Sequence, residues 1–205
     1  MTPTAVARIV IFAKAPVPGA VKTRLISALG AVGAAALARR MLDHALRQAL
    51  AAGDGPVELC MSPAPGDVAW QGIELPAGVE STAQGDGDLG RRMDGAVRRV
   101  SARHGRPALL IGSDCPALTG QEIGQAVARL DDHDLVIVPA ADGGYVLIGL
   151  RSPCSPLFTD MPWSTSAVCG ETLRRAATLG LKVWLGPRLH DIDEPADLAL
   201  LPAGF

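Results

Sequence analysis

Aromatic residues are scarce in this chain: three Trp, three Phe and one Tyr make up 3% of its 205 residues. Single-stranded nucleic acid is usually held by stacking bases on aromatic side chains, and there are too few here for such a platform. An excess of positive charge is also missing, because 19 Lys and Arg stand against 21 Asp and Glu for a net charge of -2. No global field exists to hold a polyanion by counterion release, so nucleic acid is not the expected partner. The four cysteines, Cys60, Cys115, Cys154 and Cys169, form no C-x-x-C pair and read as reduced thiols. No apolar run approaches the roughly 18 residues that span a bilayer, since the Ala-rich tract Ala31 to Ala38 stops at Arg39 and Arg40. With no charged n-region at the start, the expectation is a cytoplasmic protein without a transmembrane segment. Signatures of zinc hydrolases, serine hydrolases and phosphate-loop ATPases are absent as well: there is no H-E-x-x-H, no G-x-S-x-G and no G-x-x-x-x-G-K-[ST].

What is present is a chain that is 48% hydrophobic with only 20% charged residues, enough to build a core, and we read it as one domain over residues 1–205. Arg8 to Ala13 is a β-branched run that ends at a Pro/Gly-rich loop, and Gly30 to Ala52 carries apolar residues at spacings of three and four. Val57 to Met61 predicts a second strand, whereas Ser62 to Gln84 reads as irregular, with at most a short strand around Gly72 to Leu75. Leu89 to His104 predicts a helix, Pro107 to Gly112 a buried central strand and Thr119 to Leu130 another helix. Asp134 to Pro139 and Tyr145 to Leu150 predict strands joined by a tight turn, and Ser164 to Leu179 a helix entered through Ser/Thr caps. Lys182 to Leu185 reads as a last strand before a terminal helix opened by Pro195. Strands alternating with helices give an α/β fold with a mostly parallel sheet, whose ligands bind beyond the carboxyl ends of the strands.

Polar clusters fall at those ends. After the first strand, FAKAPVPGAVKTRL gathers Lys14, Gly19, Lys22 and Arg24. Gly19 allows close backbone approach to a phosphate, and Lys22 and Arg24 supply fixed positive charge; a solvated basic loop would have the same composition. Gln84-Gly85-Asp86-Gly87-Asp88 contains a formal G-x-G-x-x-G, but its carboxylates would repel a pyrophosphate. It reads as a plain turn, or as a contact for a base or ribose through Gln84 and Gly85. Asp114, beyond the most buried strand, is the best single candidate for a metal ligand, since Mg2+ is commonly held by one or two carboxylates plus substrate phosphates; it could also cap the turn before Pro116. Cys115 beside it reads as a buried residue rather than a nucleophile. Asp142-Gly143-Gly144-Tyr145 fits a hairpin turn whose N–H groups could also receive a substrate. His190-Asp191-Ile192-Asp193 puts two carboxylates on one side of an extended segment, with Asp193 alternatively a helix cap.

In order, PVPGAVKTRL, QGDGDLGRRM, IGSDCPALT, PAADGGYVLIGL, LFTDMPWST and LHDIDEPADL resemble the bacterial DUF2064 family over nearly the whole chain. That family, also described as glycosyltransferases of the "transferase 1, rSAM/selenodomain-associated" type, looks like a branch of the nucleotide-diphospho-sugar transferase superfamily. The resemblance implies a GT-A-like three-layer α/β/α sandwich. More distantly, the Lys-Thr-Arg-Leu loop, the Asp-x-Pro, the Gly-Gly turn and the D-x-D-x-P-x-D-L ending are similar to 2-phospholactate and molybdenum-cofactor guanylyltransferases, although only Gly19 stands where those have several glycines. Carried over, the resemblance implies Lys22 and Arg24 on nucleotide phosphates, with Asp114 also catalytic and a ligand to Mg2+ or Mn2+. Asp193 is implied as the second ligand, Asp142 being the alternative. Gly143 and Gly144, bordered by Trp163, Ser164 and Thr165, would lie near an acceptor. The implied activity is transfer from an activated nucleotide, nucleotidylyl transfer from an NTP to a small phosphorylated or carboxylated acceptor ahead of glycosyl transfer from a nucleotide sugar. A non-catalytic nucleotide-binding domain is the alternative from another class. The oligomeric state is left open, with a homodimer among the choices.

Overall fold

A computed structural model describes residues 6–53, 55–202 and 205. Seven strands form one sheet in the order β3-β2-β1-β4-β6-β5-β7. They are β1 (Arg8–Lys14), β2 (Val57–Ser62), β3 (Val79–Ala83), β4 (Ala108–Gly112), β5 (Leu135–Pro139), β6 (Tyr145–Leu150) and β7 (Val183–Leu185). Neighbours pair in parallel except β6, which runs antiparallel to both β4 and β5. Helices cover both faces, which is why β1, β4 and β5 are apolar at successive positions rather than alternately. Ile9, Ile11, Leu59, Leu109 and Val138 pack with α1 (Ile26–Ala51) and α3 (Gly120–Arg129). Val10, Cys60, Leu110, Ile137 and Ile148 pack with α2 (Leu89–His104) and α4 (Val168–Thr178). The result is the expected three-layer α/β/α sandwich.

Several expectations change. The stretch read as irregular holds β3, at Val79–Ala83 rather than Gly72 to Leu75, paired in parallel with β2 at the sheet edge. Ser164 to Ala167 is turn, with Ser164 at φ 63°, so α4 starts later than expected; its cap residue is Ala167 and makes no side-chain capping bond. The segment after Glu194 is a 3-10 helix, Pro195–Leu200. Its capping pair is Glu194 with Asp197, so Asp193 is not the cap. Helix α1 begins earlier than expected and is interrupted at Gly30 (φ 70°, ψ 166°).

The reading of the Ala-rich tract also needs correction. The helical stretch Thr23–Ala51 reaches a mean hydropathy of 1.4, long and apolar enough by composition to cross a membrane. Its physical commitment lies elsewhere: Leu42, Ala45, Leu46 and Ala49 are buried against the sheet, while Arg39, Arg40 and Arg47 lie on the same helix. Apolar spacing with interleaved charge is the pattern of a core helix.

Beside β1 and β2 lies an ion network that fixes the sheet's edge to α2. Glu58, 1% exposed, accepts hydrogen bonds from Arg99 Nη2 and Thr82 Oγ1, both at 2.6 Å. Arg8, also buried, lies 3.5 Å from Glu58 and 2.9 Å from Glu80. Its role is structural, since a buried carboxylate requires such partners.

Candidate functional site

The loop from Ala15 to Lys22 follows β1 at its carboxyl end and turns back through two left-handed positions, Gly19 (φ 78°) and Lys22 (φ 46°). For glycine that conformation is free; for lysine it costs energy and needs surrounding support. The support is ionic: Lys22 Nζ lies 3.3 Å from Asp114 Oδ2 and 2.5 Å from Asp193 Oδ1, its side chain only 10% exposed. Burial pulls the ammonium toward its neutral form, but the fields and hydrogen bonds of Asp114 and Asp193 outweigh it and hold the pKa above the usual 10.5. Two residues on, Arg24 Nη1 pairs with Glu194 Oε1 at 3.1 Å on the exposed rim.

Lys22, Arg24, Asp114 and Asp193 line a cavity of about 350 Å³ with Lys14, Ser113, Thr23, Phe12 of β1 and Met41 of α1. The structure therefore brings Lys14, Lys22, Arg24, Asp114 and Asp193, from three separate polar clusters of the sequence, to one cavity. Its position beyond the ends of β1 and β4 is where open α/β sheets hold ligands.

Residues 189–193 strap this site to its neighbour. Ala141 N donates to Leu189 O at 2.8 Å, Leu189 N to Pro139 O at 3.0 Å and Ile192 N to Asp114 O at 2.9 Å. Cys115 Sγ donates to His190 O at 3.2 Å; it is buried, and that burial pushes its thiol up to about 12, away from the thiolate a nucleophile needs. Asp191, which the sequence reading did not single out as a site residue, belongs to this strap. Burial, followed by the charges of Asp114, Asp142 and Asp193, raises its carboxyl to about 6. The signal was the D-x-D spacing, of which only Asp193 was carried forward. Met41 and Phe12 carried no signal beyond core packing.

The second half of the edge is the β5–β6 turn. Asp142 Oδ1 accepts from Gly144 N at 2.8 Å, which orders the turn, and Gly143 O accepts from Cys169 N at 2.8 Å. Gly143 (φ 94°) sits directly on Ser166: a Cβ there would lie 2.5 Å from Ser166 Cα and 2.6 Å from its carbonyl carbon. The structure thus brings the Gly-Gly turn and the segment containing Ser164 and Thr165 together. Thr165 Oγ1 donates to Pro162 O at 2.7 Å. Trp163 packs against Gly90, whose Cβ would stand 2.9 Å from the indole, and Trp163 Nε1 is buried with no partner among the described residues. Tyr145, leading into β6, has a hydroxyl that is likewise unpartnered among them, and burial raises its pKa.

Gln84 and Gly85 are not in the cavity lining. Gln84 Nε2 donates to Ala13 O at 3.0 Å and Cys60 O at 3.1 Å, which clips the end of β3 to β1 and β2. Gly85 (φ 79°) has open space where a Cβ would stand.

The mostly parallel seven-stranded sheet with helices on both faces matches the fold of a solved nucleotide-diphospho-sugar transferase-like structure. A provisionally assigned nucleotide-diphospho-sugar transferase from Desulfovibrio desulfuricans G20 superposes with a TM-score of 0.83 at 31% identity, covering 92% of this chain and 82% of that one. CMP:2-keto-3-deoxy-manno-octonic acid synthetase complexed with CTP shares the fold at TM-score 0.58 and 14% identity, with 95% and 96% of the two chains covered. Rv0371C of Mycobacterium tuberculosis H37Rv, solved in complex with manganese, does so at TM-score 0.56 and 14% identity, with 93% and 92% covered. No curated protein matches the chain. Residues 45–165 match the family described as "Uncharacterized protein conserved in bacteria (DUF2064)". The chain belongs to the DUF2064 family.

Proposed function

We propose that the protein transfers a nucleotidyl group from an NTP to a small phosphorylated or carboxylated acceptor, with a divalent cation. The observation that carries this reading is the charge arrangement of the cavity. Lys14, Lys22 and Arg24 line it together with Asp114 and Asp193, the Lys22 ammonium lying between the two aspartates and Arg24 paired with Glu194. A triphosphate needs fixed cations, and a hard divalent ion needs carboxylate oxygens beside it.

The carboxylate pair already accepts a cation, since the Lys22 ammonium lies between its members. Among the described residues no group of three or more His, Cys, Asp or Glu could hold a metal. Asp114 and Asp193 would therefore hold Mg2+ or Mn2+ jointly with nucleotide phosphates, as these ions commonly bind. When bound, the ion neutralises phosphate charge. Binding of manganese by Rv0371C and of CTP by the synthetase, both of the same fold, supports this choice of ligands.

The chain's own residues would do the rest by positioning. Lys22 and Arg24 hold the phosphates, and the Asp142–Gly144 turn orients the acceptor from the other half of the edge. An acceptor oxygen attacks the α-phosphorus as the bond to the bridging oxygen breaks and pyrophosphate leaves. Phosphate and carboxylate oxygens are ionised at neutral pH, so such an acceptor needs no general base, in keeping with a cavity whose described lining holds no triad.

A nucleotide-sugar donor is the second reading, favoured by the relative from D. desulfuricans. Calorimetric titration of NTPs and nucleotide sugars, with and without Mg2+ or Mn2+, separates the two. Metal-dependent binding of an NTP that is lost in Asp114→Asn, with the melting temperature retained, is the expected result. Preference for a nucleotide sugar establishes the second reading, and no binding of either class refutes both.

A further inference from the structure

We propose that Lys22 is an internal counter-ion that fills the cation site of the free protein and exchanges partners on ligand binding, so that divalent metal and nucleotide are taken up cooperatively. This inference rests on the functional reading above and specifies how its two ligands are coupled.

Three observations carry it. The first is occupancy: the Lys22 ammonium touches both carboxylates, Asp114 and Asp193, that a metal would use. The second is the backbone: Lys22 holds a left-handed conformation (φ 46°, ψ 45°) that a lysine seldom adopts without compensation. The ion pairs provide that compensation, so the loop conformation and the carboxylate contact belong together. The third is a parallel latch: Arg24, the other expected phosphate ligand, pairs with Glu194, next to Asp193 in the chain. Lys22 and Arg24 are thus both tied to one carboxylate-bearing segment, residues 193–194.

Consider either ligand alone. A divalent ion entering between Asp114 and Asp193 must evict Lys22 from both carboxylates, or sit against a like charge. A polyphosphate drawing Lys22 and Arg24 toward itself leaves the three carboxylates of Asp114, Asp193 and Glu194 uncompensated and facing an anion. When both ligands arrive, each broken ion pair is replaced: lysine and arginine go to phosphate, the aspartates to the metal. The free energy lost by one ligand is recovered by the other, which defines positive coupling, and the coupling is reciprocal. The carboxylates are 38% and 41% exposed, so they remain solvated when the lysine leaves.

The test measures Mn2+ binding to the nucleotide-free protein by electron paramagnetic resonance, in wild type and Lys22→Gln. The glutamine keeps a hydrogen-bond donor and removes the charge. Lys22→Gln should bind Mn2+ at least about tenfold more tightly than wild type, within the usual range of coupling between sites. A second arm, free of metal, titrates inorganic tripolyphosphate into wild type and Asp193→Asn. Freed from one carboxylate, Lys22 should raise tripolyphosphate affinity in that variant by a similar factor. If Lys22 merely props the loop, both variants lose thermal stability and neither gains affinity, which overturns the proposal. Should wild type bind an NTP with metal in an Asp114-dependent way while Lys22→Gln gains nothing for Mn2+, the exchange is wrong and the functional reading stands. If neither wild type with NTP nor Lys22→Gln binds Mn2+, the functional reading itself falls, and the exchange falls with it.

Discussion

Replacing Gly143 with alanine tests whether the β5–β6 turn at the sheet edge is held by backbone contact. The native φ of 94° lies where an L-residue with a Cβ is strained, at about 1–2 kcal/mol. The added carbon would also lie 2.5 Å from Ser166 Cα and 2.6 Å from its carbonyl carbon, and close to its carbonyl oxygen. These are main-chain atoms, so no side-chain rotation relieves the overlap. The turn must withdraw from residues 165–168, and the 2.8 Å bond from Cys169 N to Gly143 O is lost with it, at about 1 kcal/mol. Together the loss is roughly 2–3 kcal/mol, and at about 2–4 °C per kcal/mol for a chain of this size the melting temperature should fall by roughly 4–12 °C. The control is the same chemical change at Gly95, in the exposed middle of α2, where nothing lies within 4 Å of the new Cβ. There alanine should stabilise by about 0.5–1 kcal/mol through helix propensity. Thermal melts by circular dichroism read both. A Gly143→Ala variant that melts within about 2 °C of wild type would show that the turn is not seated on Ser166.

The other predictions concern charge. Glu58→Ala leaves Arg99 and Arg8 without their buried carboxylate and should cost about 3–5 kcal/mol, visible as a lowered midpoint in urea at unchanged slope. Hydrogen bonds from Arg174 and Arg175 hold the Glu171 carboxyl down at about 2. Its stabilising contribution is therefore complete above the usual glutamate value of 4.5 and disappears as pH falls through about 2. Glu171→Gln should accordingly melt below wild type at pH 7, with the gap closing toward pH 2; a gap that persists there would assign its effect to packing rather than charge.

Much of the fold was legible because burial imposes periodicity. Met93, Ala96, Val97 and Val100 recur at helical intervals and are buried in α2, and YVLIGL matches β6 residue for residue. Strand β3 was not legible because VESTA is polar and partly exposed; at the rim of the sheet its main-chain pairing with β2, not a hydrophobic pattern, makes it a strand. Ser164 and Thr165 misled in the opposite way, since residues that favour caps also favour turns, and here Ser164 takes the left-handed turn conformation. For the site, residue types and resemblance pointed to Lys22, Asp114 and Asp193. Their mutual contact was out of reach, because the partners lie 92 and 171 positions from Lys22 in the chain. The omission of Asp191 has the same origin: its perturbation comes first from burial in the folded chain and then from three other aspartates, two of them distant in sequence.

The reversed strand in the sheet has a consequence for how this architecture can diversify. Because β6 runs backwards, the short turn that starts it emerges on the same rim as the loops ending the parallel strands. A parallel connection would instead need a crossover of a dozen or more residues. The rim is thereby divided into two territories with separate structural supports: the charged loop after β1 rests on α1, while the glycine turn rests on the segment entering α4. The strap at residues 189–193 touches both. Substitutions can accumulate around Trp163 to Ser166 and reshape one territory while the ion pairs of the other stay intact.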